Sequence, residues 1–466
     1  MVKVNILSAS IGAALLLGAM GSAQAATKNQ DVASLKAQVA ELQQMVQQLS
    51  SQQQQQAVQL QQQAQTPPPA PVAAPVNAST KPGWITLPDG QTQLKVYGSV
   101  RVDSTYDFKA NPTSSINNNT NAVPLNSANG TKNNLNVTAA TSRIGLDIVR
   151  PTEYGDLIGK IEADFMGGGT SGVNGDGTFR VRHAYISLNK WLVGQTTSPF
   201  VNTDTAPETV DFNGPMGYGS KRTVQVRYTQ PTFANQKLLV ALEGGDVDNL
   251  NSNTTFVNGS YVKTSGGNRL PALTARYDIA TPDKKGLLQL HGLLHENRIS
   301  VNDNIDETKL GWGVGVGGKY NLTSNDTIFA NYYHIKGDSK YLLYANPAYV
   351  AFRNGADLSI FESEYDTGLI GYSHKWSPQW RSTLAAGAIW YKKDNAYAKY
   401  AENKSDTALN KTMYNIIANS FYTPVKNLDL GVEYTYGQRQ TFVNSTATTD
   451  DKGDYSRLNL MARYSF

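Results

Sequence analysis

Residues 457–466 read RLNLMARYSF, and their alternation decides the fold. Leu458, Leu460, Ala462, Tyr464 and Phe466 share one parity; Arg457, Asn459, Met461, Arg463 and Ser465 share the other. Successive side chains of a strand point to opposite faces, so this segment is apolar on one side and basic and polar on the other. One such strand would suit a soluble sandwich. The pattern recurs along the chain at lengths that suit a bilayer, which points to a membrane crossed by strands.

Upstream, Val96, Val100, Val102, Tyr106 and Phe108 oppose Lys95, Arg101, Asp103 and Asp107. Ile144, Leu146 and Ile148 oppose Arg143 and Asp147; Ile161, Ala163 and Phe165 oppose Lys160, Glu162 and Asp164. Similar alternation surrounds Val224, Leu273, Leu310, Leu384 and Leu428, whereas the segments near Ile328 and Ile370 have no clear phase. Connections alternate too. PTEYGD, PTFANQ, TPDKKG, LTSND, SPQ and TPVKN are short, while 109–136, 166–178, 198–222, 245–268, 296–308, 337–362, 393–411 and 438–453 are long and polar. Short turns on one rim and long loops on the other, with apolar-out and polar-in alternation, predict an all-β antiparallel transmembrane barrel of about sixteen strands over residues 84–466.

The N-terminus adds three segments. Lys3, the apolar run 11–20 and Ala23-Gln24-Ala25 form a cleavable export signal over 1–25. Val32, Leu35, Val39, Leu42, Val46 and Leu49 then step by three and four, a heptad seam predicting an oligomerising coiled-coil helix over 26–65 on the periplasmic side. The Pro/Ala-rich stretch 66–83 should be an extended spacer, because proline removes donors and fixes φ. Forty glycines, 25 tyrosines and 17% charged residues suit strands and loops. The formal charge of +4 is too weak a bias to argue for nucleic acid. Cysteine is absent, which excludes disulfides and thiolate metal sites.

The exported Gln-rich coil, the Pro/Ala spacer and the barrel ending on an aromatic residue resemble the DcaP-like porins of Gram-negative outer membranes. SRIGLDIVRPTEYGDLIGKIEADF (142–165), FRVRHAYISL (179–188) and GQTTSPFVNTDTAPETVDFNGP (194–215) are similar to that family. The resemblance implies homotrimers in outer-membrane lipid and passive uptake of small anions, dicarboxylates in particular. It also implies that terminal Phe466 is read by the barrel-assembly machinery.

Parity aims Arg101, Arg143, Lys160, Arg180, Arg182, Arg227, Arg276, Arg381 and Arg457 at the lumen. Rings of Arg or Lys select anions, and arginine's planar fork matches a carboxylate. The bland alternative is that these charges merely solvate a water-filled lumen. The loop 198–222 carries Asp204, Glu208 and Asp211. In general porins a loop at this point folds inward, and similarity implies the same here, with its acids facing wall arginines across the pore. His183 shares parity with Phe179 and Val181, which predicts an outward ring at a subunit interface. His291 and His295 are four apart, roughly 13 Å on a strand at about 3.3 Å per residue, too far to share a metal. GDVDNLN places Leu250 where a calcium loop needs oxygen, and no phosphate loop or nucleophile elbow appears. The expectation is a porin with no cofactor, no metal and no enzymatic role. The alternatives are a general size-limited pore, a structural tether acting through the coil, and an outer-membrane hydrolase.

Overall fold

The computed structural model describes residues 81–466 apart from 110–115, 127–129, 168–176, 245–253, 258–259, 266–268, 302–304, 355–356, 403–408 and 444–449. Of the N-terminal segment it describes Ala40, Gln43, Gln44, Gln47, Gln48 and Ser51, which are helical and exposed. The signal 1–25, the heptad seam and the spacer up to residue 80 lie outside the described residues. The chain divides into two units, 1–75 and 76–466, at the end of the proline stretch.

Sixteen antiparallel strands close the second unit into a barrel. They are β1 (Gln93–Lys109), β2 (Arg143–Thr152), β3 (Gly155–Gly167), β4 (Thr178–Leu188), β5 (Trp191–Thr197), β6 (Arg222–Pro231), β7 (Gln236–Glu243) and β8 (Ala272–Ala280). There follow β9 (Gly286–Val301), β10 (Ile305–Asn321), β11 (Asp326–Lys336), β12 (Glu364–Lys375), β13 (Trp380–Tyr391), β14 (Asn410–Val425), β15 (Leu428–Thr441) and β16 (Lys452–Ser465). Each pairs with its sequence neighbour, and β16 returns to β1 with Tyr464 opposite Val100. Gly98 and Phe466 exchange backbone hydrogen bonds of 3.1 Å in both directions, so the last residue fastens the seam. Closure leaves no sheet edge to be satisfied in lipid.

The tight turns lie at one rim, and Asn189, Asn235 and Asn427 hold left-handed backbone there (φ 54°, 63° and 70°). Asparagine tolerates that conformation better than most side chains. The long connections at the other rim carry additional structure: paired segments Thr254–Val257 with Ser260–Ser265, paired segments Tyr349–Asn354 with Asp357–Glu362, and α1 (Ala396–Glu402). One expected loop is corrected. Residues 296–308 are mostly strand, because β9 and β10 continue pairing to Val301 and Ile305.

Alternation behaves as the sequence predicts on the outer wall. Val96, Val100, Val102, Leu384, Leu430, Val432 and Leu460 are exposed, while Asp103, Asp107, Asn459 and Arg457 of neighbouring parity are buried. Exposed aromatics gather at both ends of this wall, with Tyr154, Trp191, Phe233, Trp376 and Trp380 near the tight turns and Phe108, Phe165, Phe179 and Trp390 near the loops. Such paired girdles mark the two membrane interfaces.

Inside, the largest packed cluster lies against one side of the wall. Phe200, Val201 and Met216 of the loop 198–221, together with Tyr341 and Leu342 of 337–348, Tyr397 of α1 and Phe442, pack on Tyr333 and Ile335 of β11, Tyr365 of β12, Ile389 and Tyr391 of β13 and Met413 of β14. These strands are therefore apolar on both faces, which is why the sequence around Ile328 and Ile370 shows no phase.

Candidate functional site

The loop 198–221 folds into the lumen because the opposite wall has been hollowed to receive it. A Cβ on Gly313 of β10 would lie 2.6 Å from Phe200, and one on Gly387 of β13 would lie 2.0 Å from the Met216 carbonyl oxygen. Polar stitches fix the loop's course. The Asn415 side-chain oxygen accepts from Met216 N at 2.9 Å, Asn331 Nδ2 donates to Thr205 O at 2.9 Å, and the Glu433 carboxylate accepts from Val210 N and Asp211 N at 2.7 and 2.9 Å. Each satisfies a group that burial would otherwise leave unpaired.

The loop acids do not face arginines across open water. Asp204 pairs directly with Arg276 at 3.1 Å, and Glu208 makes a two-pronged contact with Arg381 at 2.7 and 2.9 Å, with Arg463 at 3.6 Å. Asp211 faces no wall cation in this way. It is buried and accepts from the backbone of Asn118, Asn213 and Gly214, which holds the loop's turn against the connection following β1. Burial pushes its carboxyl above the usual range, against the pull of Arg457.

On the wall away from the packed side, pairing register puts Arg143, Asp164 and Arg180 in one row across β2, β3 and β4. Arg180 grips Asp164 with two bonds of 2.8 and 2.6 Å. Arg182 bridges Glu162 at 3.0 Å and Asp164 at 2.7 Å, and Arg143 reaches Glu162 at 3.3 Å. Three guanidiniums thus share two carboxylates. Depth separates both acids from two of these cations. Asp164 and Glu162 side chains are 0% and 8% exposed, whereas Arg143 and Arg180 are 33% and 34% exposed. The acids lie behind together with Arg182, and Arg143 and Arg180 present the accessible surface.

Phe212, at the turn of the inward loop, sets its ring centroid 5.5–5.8 Å from the guanidinium carbons of Arg101, Arg180 and Arg182. An aromatic face so placed attracts cations and limits their swing. Arg101 itself is buried, bonded to Asp103 and to the Val210 carbonyl oxygen at 2.7 Å. Arg227 lies in the electrostatic range of Arg276 and forms no ion pair with a described residue. Arg276 is also bound to Asp278 at 2.9 Å. Lys160 lies apart from the cluster, paired with Asp147 at 2.7 Å and set over the Tyr97 ring.

Two expectations are corrected here. Arg457 is not on an accessible wall: it is 1% exposed and locked to Asp107 by bonds of 2.6 and 3.0 Å. His183 is not outward. The β3–β4 register shifts between Glu162 and Ala163, so Arg182 is an extra residue and the parity of β4 reverses across it. His183 Nδ1 then lies 2.9 Å from the hydroxyl of buried Thr196. Parity reading also missed Phe212, because a loop has no periodicity, and Arg222, which sits at the rim end of β6 within the field of Arg180 and Arg182. No group of three or more His, Asp or Glu side chains suited to a metal occurs among the described residues.

The arrangement has known relatives. The outer membrane channel DcaP of Acinetobacter baumannii is 33% identical, with alignment covering 81% of this chain and 98% of that one, at a TM-score of 0.69. OmpT of Vibrio cholerae (12% identity, 80% and 98% covered, TM-score 0.49) and Salmonella typhi OmpF in complex with daunomycin (13%, 82% and 99%, 0.49) are more distant likenesses. No curated protein sequence matches the chain. A family model, DcaP outer membrane protein, matches residues 19–466. The protein is an outer membrane channel that belongs to the DcaP outer membrane protein family.

Proposed function

We propose that this channel passes small anions by diffusion and favours dicarboxylates, with the β2–β4 arginines as its selective surface. The observation that carries this reading is the difference in depth, with Asp164 and Glu162 buried behind the more accessible Arg143 and Arg180. An entering anion meets guanidinium edges before it meets carboxylate. At an effective dielectric near 20, a unit charge pair about 4 Å apart is worth about 4 kcal/mol before desolvation. A solute with two carboxylates gains that attraction twice, and a neutral solute of equal size gains none. Within a passage narrower than the ~8 Å Debye length such a field is poorly screened.

The same reading gives the remaining segments their roles. Residues 1–25 direct export and are removed, 26–65 form a coil that helps hold a homotrimer, and 66–83 space the coil from the pore. Phe466 is the feature the assembly machinery engages. Arg101 and Arg276 act from the wall as fixed charges that set the positions of Val210 and Asp204, more than as contacts for solute.

The test is a reversal potential under a salt gradient in planar bilayers. If each exposed arginine supplies a tenth of the pair energy, about 0.4 kcal/mol, then Arg143→Gln with Arg180→Gln lowers the anion-over-cation permeability ratio roughly fourfold. Uptake of neutral sugars should stay close to that of the parent. A ratio indifferent to both substitutions leaves a size-limited pore with balanced walls.

A further inference from the structure

The outer wall carries a groove that permeation does not use. It spans β9 to β14, encloses about 990 Å³, and is almost wholly apolar. Its floor is made by Gly318, Ala330, Gly368, Ala386 and Ala388; the register sets Gly318 opposite Ala330 and Gly368 opposite Ala388, with Ile370 between Ala330 and Ala386. Leu288, Tyr320, Trp390 and Ile416 stand around that floor, and Ile370 rises within it.

The groove runs to the rim of tight turns, where Thr281 and Gly286 line it. Those two residues bracket the turn that carries Lys284 and Lys285, both exposed. Two acids of this stretch of the rim are engaged already. Asp283 accepts from the Thr281 hydroxyl at 2.5 Å and from Lys285 N at 3.0 Å. Asp326 accepts from the Tyr372 hydroxyl at 2.6 Å and lies 2.7 Å from His374 Nδ1. Neither Lys284 nor Lys285 forms an ion pair within 4 Å of a described residue, nor does Lys375 at the same end of β12. At its other end the groove stops below Tyr332, whose hydroxyl donates to Asp366 at 2.5 Å beside His334.

We propose that this groove seats one phospholipid of the periplasmic leaflet, its acyl chains over the small-residue floor and its phosphate on Lys284 and Lys285. Flexible methylene chains fill a recess that a bilayer of freely moving lipid would cover poorly, and each buried methylene adds to the affinity. The short-turn rim is the periplasmic one in barrels of this kind, so the lysines sit at headgroup depth, where basic side chains attract anionic lipid. A subunit contact would not need a cationic mouth at headgroup depth, and this favours lipid over a second copy of the chain.

The experiment uses the full protein in vesicles containing phosphatidylglycerol with a diazirine on one acyl chain, followed by adduct mapping and native mass spectrometry. The parent should give adducts at the groove residues and retain a lipid mass after detergent extraction. Ala330→Leu with Ala386→Phe, which fills the floor, should lose both while oligomer mass and conductance hold. Lys284→Glu with Lys285→Glu leaves the wall intact and should also lose the retained lipid, so the idea does not depend on the filled variant assembling. Unchanged adducts in both variants overturn the proposal. So does an oligomer that falls apart on filling the floor while the lipid adducts persist, which would make the groove a subunit seam.

Discussion

Arg457 and Arg143 carry the same charge and both point inward from their strands, yet their surroundings give them different work. Arg457 is enclosed with Asp107 as a two-pronged pair with both side chains at most 2% exposed. Arg143 shares Glu162 with Arg182 and keeps a third of its side chain accessible. Removing one partner of a buried pair strands the other charge, at about 3–5 kcal/mol. Arg457→Ala is therefore expected to lower the temperature at which the barrel unfolds on heat-modifiability gels, with the permeability ratio nearly unchanged. Altered selectivity with unaltered heat resistance would reverse the two roles. Parity in the sequence told which way these arginines point. It could not tell how deep each would lie, because depth depends on which carboxylate and which loop residue arrives from far along the chain, as Val210 does at Arg101.

At the level of elements, the inward loop and its seat form one device. The alternating glycines of GWGVGVGG in β10 share the inward parity of Lys309 and Lys319, and Gly387 of β13 shares that of Arg381. In the structure two of them are clearances for Phe200 and Met216. Gly387→Val puts a side chain where the Met216 carbonyl oxygen lies 2.0 Å from a bare Cβ, so the loop backbone must lift. The expected outcome is larger and noisier single-channel conductance with normal barrel assembly, read in planar bilayers; parent-like conductance would mean that the loop does not narrow the pathway. His183 shows the opposite failing of element-level reading. One extra residue in β4 reverses every later side chain, and no local feature of FRVRHAYISL marks it, because the bulge is defined by the partner strand.

For the whole molecule, the division near residue 75 separates a Gln-rich segment from the barrel. If the coil only strengthens assembly, deleting residues 26–75 should leave conductance per channel unchanged while the oligomer dissociates at lower temperature in detergent. A conductance that rises or collapses would place that segment in the pathway. The class of fold, the alternation of turn and loop rims and a count of about sixteen strands were all present in the sequence. Each follows from a local repeat, period two along a strand, read against a solvent that is lipid outside and water inside. Only the tertiary structure decided that Phe200, Met216, Tyr341 and Tyr397 pack inside the barrel against one side of its wall, that Asp204 and Glu208 touch arginines directly, and that Phe212 faces three guanidiniums. Those contacts join residues separated by tens to hundreds of positions, and they depend on where loops without periodicity come to rest.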